Sequence, residues 1–272
     1  MTTAVTAPIA VRTTDAVPTR APWSTRAFVE HTMGMAISLH VRALSIDLER
    51  RSDEFAAAAE GAFAVLRRAD AVFSTYRADS DLMRVRRGEL AEADADPWLA
   101  EIRAVADEAT SVTGGLFTTD LVGPDGTRGF DPTGVVKGWA IERAADVLRA
   151  VPGIVFCLNA GGDMVTASGP CADARIARTW RVGIADPRDA RRITTTLDLT
   201  DGALATSGTG QRGAHILDPR SGRPAESPFS SVTVVGPDLT WADVWATAAF
   251  VDPDALAFSR MAASYRLAAI TH

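Results

Sequence analysis

The rhythm of apolar and polar positions changes along the chain, and each change marks an element. Between positions 31 and 41 the apolar residues Met33, Met35, Ile37, Leu39 and Val41 occupy every second place, the period of a strand with one buried face. Ser52 then precedes an alanine-rich stretch with Asp53 and Glu54 at its start. That spacing predicts a helix capped by Ser52 and running to about Val72. Past residues 73–76 (FSTY), Ser80 predicts the cap of a short helix to about Arg87. Asp96-Pro97 and Asp131-Pro132 each place a capping residue before a proline at the first helical position. The first of these helices closes at Gly114 and the second runs through about Arg149. Beyond Gly153 the period shortens. IVFCLN, MVTAS, WRVGIA, ITTTLDL, HILD and SVTVVG are brief, β-branched runs separated by Gly, Pro and Asp, and they predict strands of a largely antiparallel sheet. Helix returns from Thr240 to about Val251, and a final helix and strand end the chain. Helices mostly early and strands mostly late predict an α+β fold in which helices flank an antiparallel sheet core. One large domain is expected over residues 28–272. Residues 1–27 hold seven threonines and three prolines with little periodicity, and are expected to form a disordered N-terminal tail.

Composition narrows the function classes. The 272 residues suffice for a substantial core. A formal net charge of −6 and a pI near 5.3 argue against nucleic acid as a partner. No run approaches the about 20 apolar residues of a membrane span, and no secretory pattern opens the chain, so the expected compartment is the cytoplasm, with no membrane anchor. Cys157 and Cys171 are the only cysteines and form no CxxC, which argues against structural zinc and for reduced thiols. Of 28 basic residues only Lys137 is a lysine.

Four segments carry more glycine, acid and hydroxyl than packing needs. In FDPTGVVKGWAIERA, Asp131 is adequately explained as a helix cap. Gly134 and Gly138 are not, since glycine costs about 1 kcal/mol against alanine inside a helix. Something close to the backbone is expected there, and a helix N-terminus beside Lys137 can receive an anion. In NAGGDMVTASG, Asp163 follows a glycine pair that forms either a tight hairpin or a ligand loop. ATSGTGQRGAHILDPRSGRP offers small residues that could present N–H groups to an anion, then His215 at the start of a strand. In TWADVWATAAF, Asp243 and Thr247 lie four apart, so carboxylate and hydroxyl share a helical face. These are hard oxygen ligands suited to Mg²⁺, although Thr240 and Asp243 also fit a capping box.

Taken in order, the segments resemble the ApbE-type flavin transferases (FAD:protein FMN transferases). The likeness runs from Thr32-Met33-Gly34 through Phe73-Ser74-Thr75-Tyr76, Asp79-Ser80-Asp81-Leu82, Thr113-Gly114-Gly115 and Lys137-Gly138-Trp139-Ala140. It continues through Asn159 with Gly161-Gly162-Asp163, Thr206-Ser207-Gly208, His215-Ile216-Leu217-Asp218-Pro219 with Ser221-Gly222, and Ala242-Asp243 with Ala246-Thr247. Together these span about residues 30–250.

The resemblance implies a Mg²⁺-dependent enzyme that binds FAD and transfers FMN through a phosphoester to a Ser or Thr of an acceptor flavoprotein, releasing AMP. It implies FAD contacts at Met33, Tyr76, Phe117, Thr118, Asp131, Lys137, Asp163 and Leu217. Mg²⁺ would be held by Asp243, Thr247 and the Gly134 carbonyl, and His215 would assist proton transfer. The chain departs from the family pattern in three places. Thr118 follows Phe117 where Asp is common, Thr209-Gly210 follows TSG where an acid and an aromatic are common, and the segment from Gly115 to Asp131 is short. Two other readings of the same residues stay open: hydrolysis of FAD to FMN and AMP, and flavin binding without turnover.

Overall fold

The computed structural model of the chain describes residues 21–122, 128–209, 216–255 and 264–271. It opens with two long strands, β1 (Trp23–Thr32) and β2 (Met35–Leu44), paired from Trp23 opposite Leu44 to Thr32 opposite Met35. The turn between them, Met33-Gly34, has φ of +54° and +72°, the left-handed pair that a two-residue hairpin needs. The alternation at 31–41 therefore belongs to two strands. Ile37, Leu39 and Val41 are buried on one face of β2, and Met33 is the turn. Residues 23–27, placed in the tail by the sequence reading, belong to β1. β1 is an edge strand without a fully buried position, so its sequence shows no apolar alternation to read.

Helices α1 (Ser45–Arg50) and α2 (Ser52–Phe73) follow almost without a break. Ser52 is the first helical residue and not the cap; its hydroxyl accepts from Arg26 Nη1 at 2.7 Å. Helix α3 (Asp81–Arg86) starts as expected, with Ser80 Oγ accepting from the Met83 N–H at 3.2 Å. A 3₁₀ turn (Glu92–Asp94) leads to α4 (Trp98–Val112), one residue later than its Asp-Pro signal predicts. The Asp96 carboxylate still accepts the Trp98 N–H at 2.9 Å. The short hairpin of β3 (Asp120–Val122) and β4 (Arg128–Phe130) precedes α5 (Thr133–Arg149).

The remaining strands are β5 (Val155–Ala160), β6 (Asp163–Ser168), β7 (Trp180–Asp186), β8 (Asp189–Leu199), β9 (Gly202–Gly208), β10 (Leu217–Asp218), β11 (Arg223–Pro224), β12 (Phe229–Gly236) and, after α6 (Leu239–Val251), β13 (Arg266–Thr271). The final helix expected from sequence would fall within 256–263, outside the described residues.

Seven strands form one sheet in the order β1-β2-β5-β6-β9-β12-β13, every pair antiparallel. Helices α2, α5 and α6 cover one face and share its hydrophobic core. The β7–β8 ribbon lies against the other face, where Val182 and Leu199 pack with Leu204, Met164 and Val235. β9 was not expected as a strand. Ala203 and Ala205 join the helical core while Leu204 joins the ribbon cluster, so it is buried on both faces and shows no alternation. The expected α+β architecture, an antiparallel sheet flanked by helices, is what the chain adopts. Among the described residues no helix is long and apolar enough to cross a membrane.

Candidate functional site

Strand registers bring several of the glycine-rich segments to one end of the sheet. Ile37 lies opposite Ala160, Leu204 opposite Met164 and Gly208 opposite Ser231. The Met33-Gly34 turn, the Gly161-Gly162 turn, the end of β9 and the start of β12 are therefore neighbours. The glycine pair at 161–162 is a tight hairpin, with φ of +62° and +103° and Ala160 paired with Asp163. Asn159 Oδ1 accepts the Gly162 N–H at 3.0 Å.

The first turns of α5 bring Lys137 to this end. Its Nζ lies 2.5 Å from Asp163 Oδ2 and 3.7 Å from Asp243 Oδ2. Both carboxylates are nearly sealed from solvent, at 2% and 4% residue exposure. Asp163 Oδ1 accepts the Thr206 N–H at 3.0 Å. Asp163 Oδ2 and Asp243 Oδ2 are both buried without a hydrogen-bond partner, and both face the Lys137 ammonium, which stands closer to Asp163. Burial pushes the Asp243 carboxyl up to about 7, with the Asp163 charge adding to the rise and the Lys137 ammonium opposing it. One turn along α6, the Thr247 hydroxyl meets Ser207 Oγ at 3.1 Å.

The capping-box explanation of Asp243 does not apply. Asp238 is the N-cap of α6, and its carboxylate accepts the Trp241 N–H at 3.1 Å. Asp243 is therefore buried for a reason other than capping, with the Lys137 ammonium as its charge partner. The glycines of α5 also separate. A Cβ on Gly138 would stand 2.9 Å from the Leu239 carbonyl oxygen and 3.1 Å from the Asp243 Cβ, so what approaches it is helix α6. At Gly134 the neighbour is the Phe117 ring, at 3.4 Å from the same hypothetical atom.

Phe117, Asp131, Gly134 and Lys137 thus gather around the start of α5. Asp131 Oδ1 accepts the Thr133 N–H at 3.1 Å, and its Oδ2 lies 3.6 Å from Arg86. Thr118 is half-buried and its hydroxyl accepts the Asp120 N–H at 3.1 Å. Met33 stands at the same sheet end, in its turn. Tyr76 is almost wholly exposed on the loop after α2, and Leu217 is half-buried in β10 opposite Pro224. His215 lies outside the described residues.

Two residues of this region escape the sequence reading. Asp238 follows a proline after a strand and was available as a cap signal. Glu142 lies four residues after Gly138 and seven before Arg149, whose guanidinium holds one of its oxygens.

Among the described residues no cluster of three or more His, Cys, Asp or Glu is arranged to hold a metal ion. The donors that do fit a small hard cation are the Asp243 carboxylate, unsatisfied at Oδ2, and the Thr247 hydroxyl a turn away. Mg²⁺ takes few protein ligands and keeps waters or phosphate oxygens for the rest, so this pair is chemically adequate.

Residues 118–271 match the model of the ApbE family. A protein of Klebsiella pneumoniae called FAD:protein FMN transferase is 32% identical over 130 residues, covering 44% of this chain and 38% of its own. An Escherichia coli K12 protein of the same name is 36% identical over 130 residues, covering 44% and 36%. The matched stretch is thus less than two-fifths of the length of these curated relatives. Among solved structures, the ApbE protein of Thermotoga maritima superposes with a TM-score of 0.71 at 22% identity, over 91% of this chain and 94% of that one. The flavin transferase ApbE of Vibrio cholerae gives 0.67 at 20% identity, over 92% and 94%. The family match covers more than half of the chain and the fold match nearly all of it: the chain belongs to the ApbE family.

Proposed function

We propose that this chain is a Mg²⁺-dependent FAD:protein FMN transferase. It would move the FMN half of FAD onto a Ser or Thr hydroxyl of an acceptor flavoprotein and release AMP. The observation that carries the reading is Asp243: a sealed carboxylate with an unsatisfied oxygen, no capping role, and a hydroxyl ligand one turn away. The names of the Klebsiella and Escherichia relatives support the same reading.

Asp243 and Thr247, with the Gly134 carbonyl, would hold Mg²⁺. Bound there, the ion supplies positive charge against the pyrophosphate, as phosphoryl transfer requires. Lys137 keeps Asp163 and Asp243 close together in spite of their like charges. Met33, Tyr76, Phe117, Thr118, Asp131 and Leu217 are the residues proposed to contact FAD, with Lys137 and Asp163 beside them. The exposed Tyr76 ring is free to stack on a planar ligand. In the transfer an acceptor oxygen–phosphorus bond forms, the pyrophosphate P–O bond breaks, and AMP leaves. The hydroxyl proton would pass to His215, the side chain type best poised near neutral pH.

The test incubates the protein with FAD, Mg²⁺ and candidate acceptor flavoproteins. Covalent FMN on an acceptor Ser or Thr, seen by intact mass, together with AMP release is the expected result. AMP release that needs no acceptor would assign hydrolysis instead. FAD binding with no AMP under any condition would leave a flavin-binding protein without turnover.

A further inference from the structure

Helix α6 begins with N–H groups that have no partner inside the helix. Asp238 takes one, at Trp241. The Leu239 N–H is taken from another helix: Glu142 Oε2 on α5 accepts it at 2.6 Å, across 97 residues of sequence. Glu142 is only 9% exposed, and its other oxygen is held by Arg149. A carboxylate here also complements the positive end of the α6 dipole.

Part of the α5–α6 contact is made by small residues. Gly138 lets the α6 backbone approach directly. Small buried residues, Ala144 and Ala145 on α5 and Ala242, Ala246 and Ala249 on α6, fill the helical core nearby. Helices register by interlocking ridges and grooves, and alanine and glycine make shallow ones. A slip of one residue would move a helix about 1.5 Å along its axis, enough to displace a ligand. The Glu142–Leu239 hydrogen bond opposes such a slip. Leu239, Asp243 and Thr247 are spaced four apart on α6 and share a face. Anchoring the first therefore anchors the other two.

We propose that Glu142 is a positioning residue that sets the axial register of α6 on α5, and thereby the location of Asp243 and Thr247. The consequence for Mg²⁺ rests on the function proposed above; the consequence for the helix does not. The experiment compares wild type, Glu142→Leu, Glu142→Gln and Leu148→Ala, the last a core deletion on the same helix. Crystal structures of the FAD-free proteins read the α6 position, and calorimetric titration with Mg²⁺ alone reads affinity. In Glu142→Leu, α6 should shift along its axis and the Lys137–Asp243 approach should change. Mg²⁺ affinity should fall roughly 10–100-fold, the usual cost of losing a residue that orients a metal ligand. Glu142→Gln, which keeps an acceptor oxygen for Leu239, should restore both. Leu148→Ala should lose stability and change neither. Should Glu142→Leu fail to fold, Glu142→Asp, too short to reach Leu239, serves the same comparison. An unmoved α6, or wild-type Mg²⁺ affinity in a folded Glu142→Leu protein, overturns the proposal. If α6 moves but the wild type binds no Mg²⁺, the positioning role stands and the metal reading fails.

Discussion

Asp243 bears an electrostatic cost that varies with pH. An unfolded Asp titrates near 3.9, whereas burial pushes this one up to about 7. The native state therefore binds the proton more tightly, and stability falls as pH rises between those values. Below the window the cost is absent, and above it the cost is complete. The metal-free protein should lose thermal stability from about pH 4 to about pH 7, with the slope flattened in Asp243→Asn. If Asp243 holds Mg²⁺ as proposed, stabilisation by added Mg²⁺ should grow over the same window, because a ligating carboxylate must be ionised. Melting curves at several pH values, with and without Mg²⁺, check both; an equal slope in the variant would place the titration elsewhere. Lys137 answers a related problem. Its ammonium is the charge between two sealed carboxylates, so Lys137→Met leaves like charges together. A loss of roughly 3 kcal/mol is expected, at the lower edge of what breaking a buried pair costs because this side chain is partly exposed. Adding Asp163→Asn should recover part of it in urea unfolding.

Among the elements, α5 and α6 decide the geometry of the site. Gly138→Ala would improve helix propensity by about 1 kcal/mol, yet its methyl would strike the Leu239 carbonyl and the Thr240 Cα. Backbone cannot yield as a side chain can, so a net destabilisation of about 1–3 kcal/mol is expected by denaturant melting. Asp238→Ala removes the α6 cap and should cost about 0.5–2 kcal/mol, with activity per folded molecule unchanged. Helix starts were legible to within a residue where their signals are local: Ser80 caps α3, and Asp131 bonds the Thr133 N–H. Even so, α5 begins one residue later than its Asp-Pro signal predicts, with Pro132 and not Asp131 at the cap position. The cap of α6 was misassigned to Thr240, two residues beyond Asp238, because both are good capping types and only the actual turn chooses between them.

For the whole molecule, Arg42 on β2 adds a polar tie between the sheet and the β7–β8 ribbon beside the Val182–Leu199 cluster. Its guanidinium lies 3.5 Å from the Trp180 ring centroid and 5.1 Å from that of Trp23. Its Nη1 also donates to the Ala177 and Thr179 carbonyls, each at 2.9 Å. Burial lowers the Arg42 pKa from its usual value, yet an arginine stays charged at neutral pH. Arg42→Ala should loosen the 170–200 segment without unfolding the seven-stranded sheet. Limited proteolysis should then cut within that segment faster, while the main thermal transition moves little. A large, cooperative loss of melting temperature would instead make the ribbon part of the core.

Local chemistry was enough for the sequence to determine the α+β class, most helix starts to within a residue or two, and the family resemblance, while the Gly161-Gly162 segment stayed open between hairpin and ligand loop. Each depends on residues near one another in the chain or on the order of short motifs. Tertiary structure decided the rest. Edge strand β1 and doubly buried β9 lack an apolar period, so only pairing reveals them. Whether Gly138 admits a ligand or a helix depends on a segment 101 positions further on, at Leu239. That Lys137 stands between Asp163 and Asp243 follows from where α5, β6 and α6 meet. No spacing in the chain records this, because the energy that joins those residues comes from burying the faces around them.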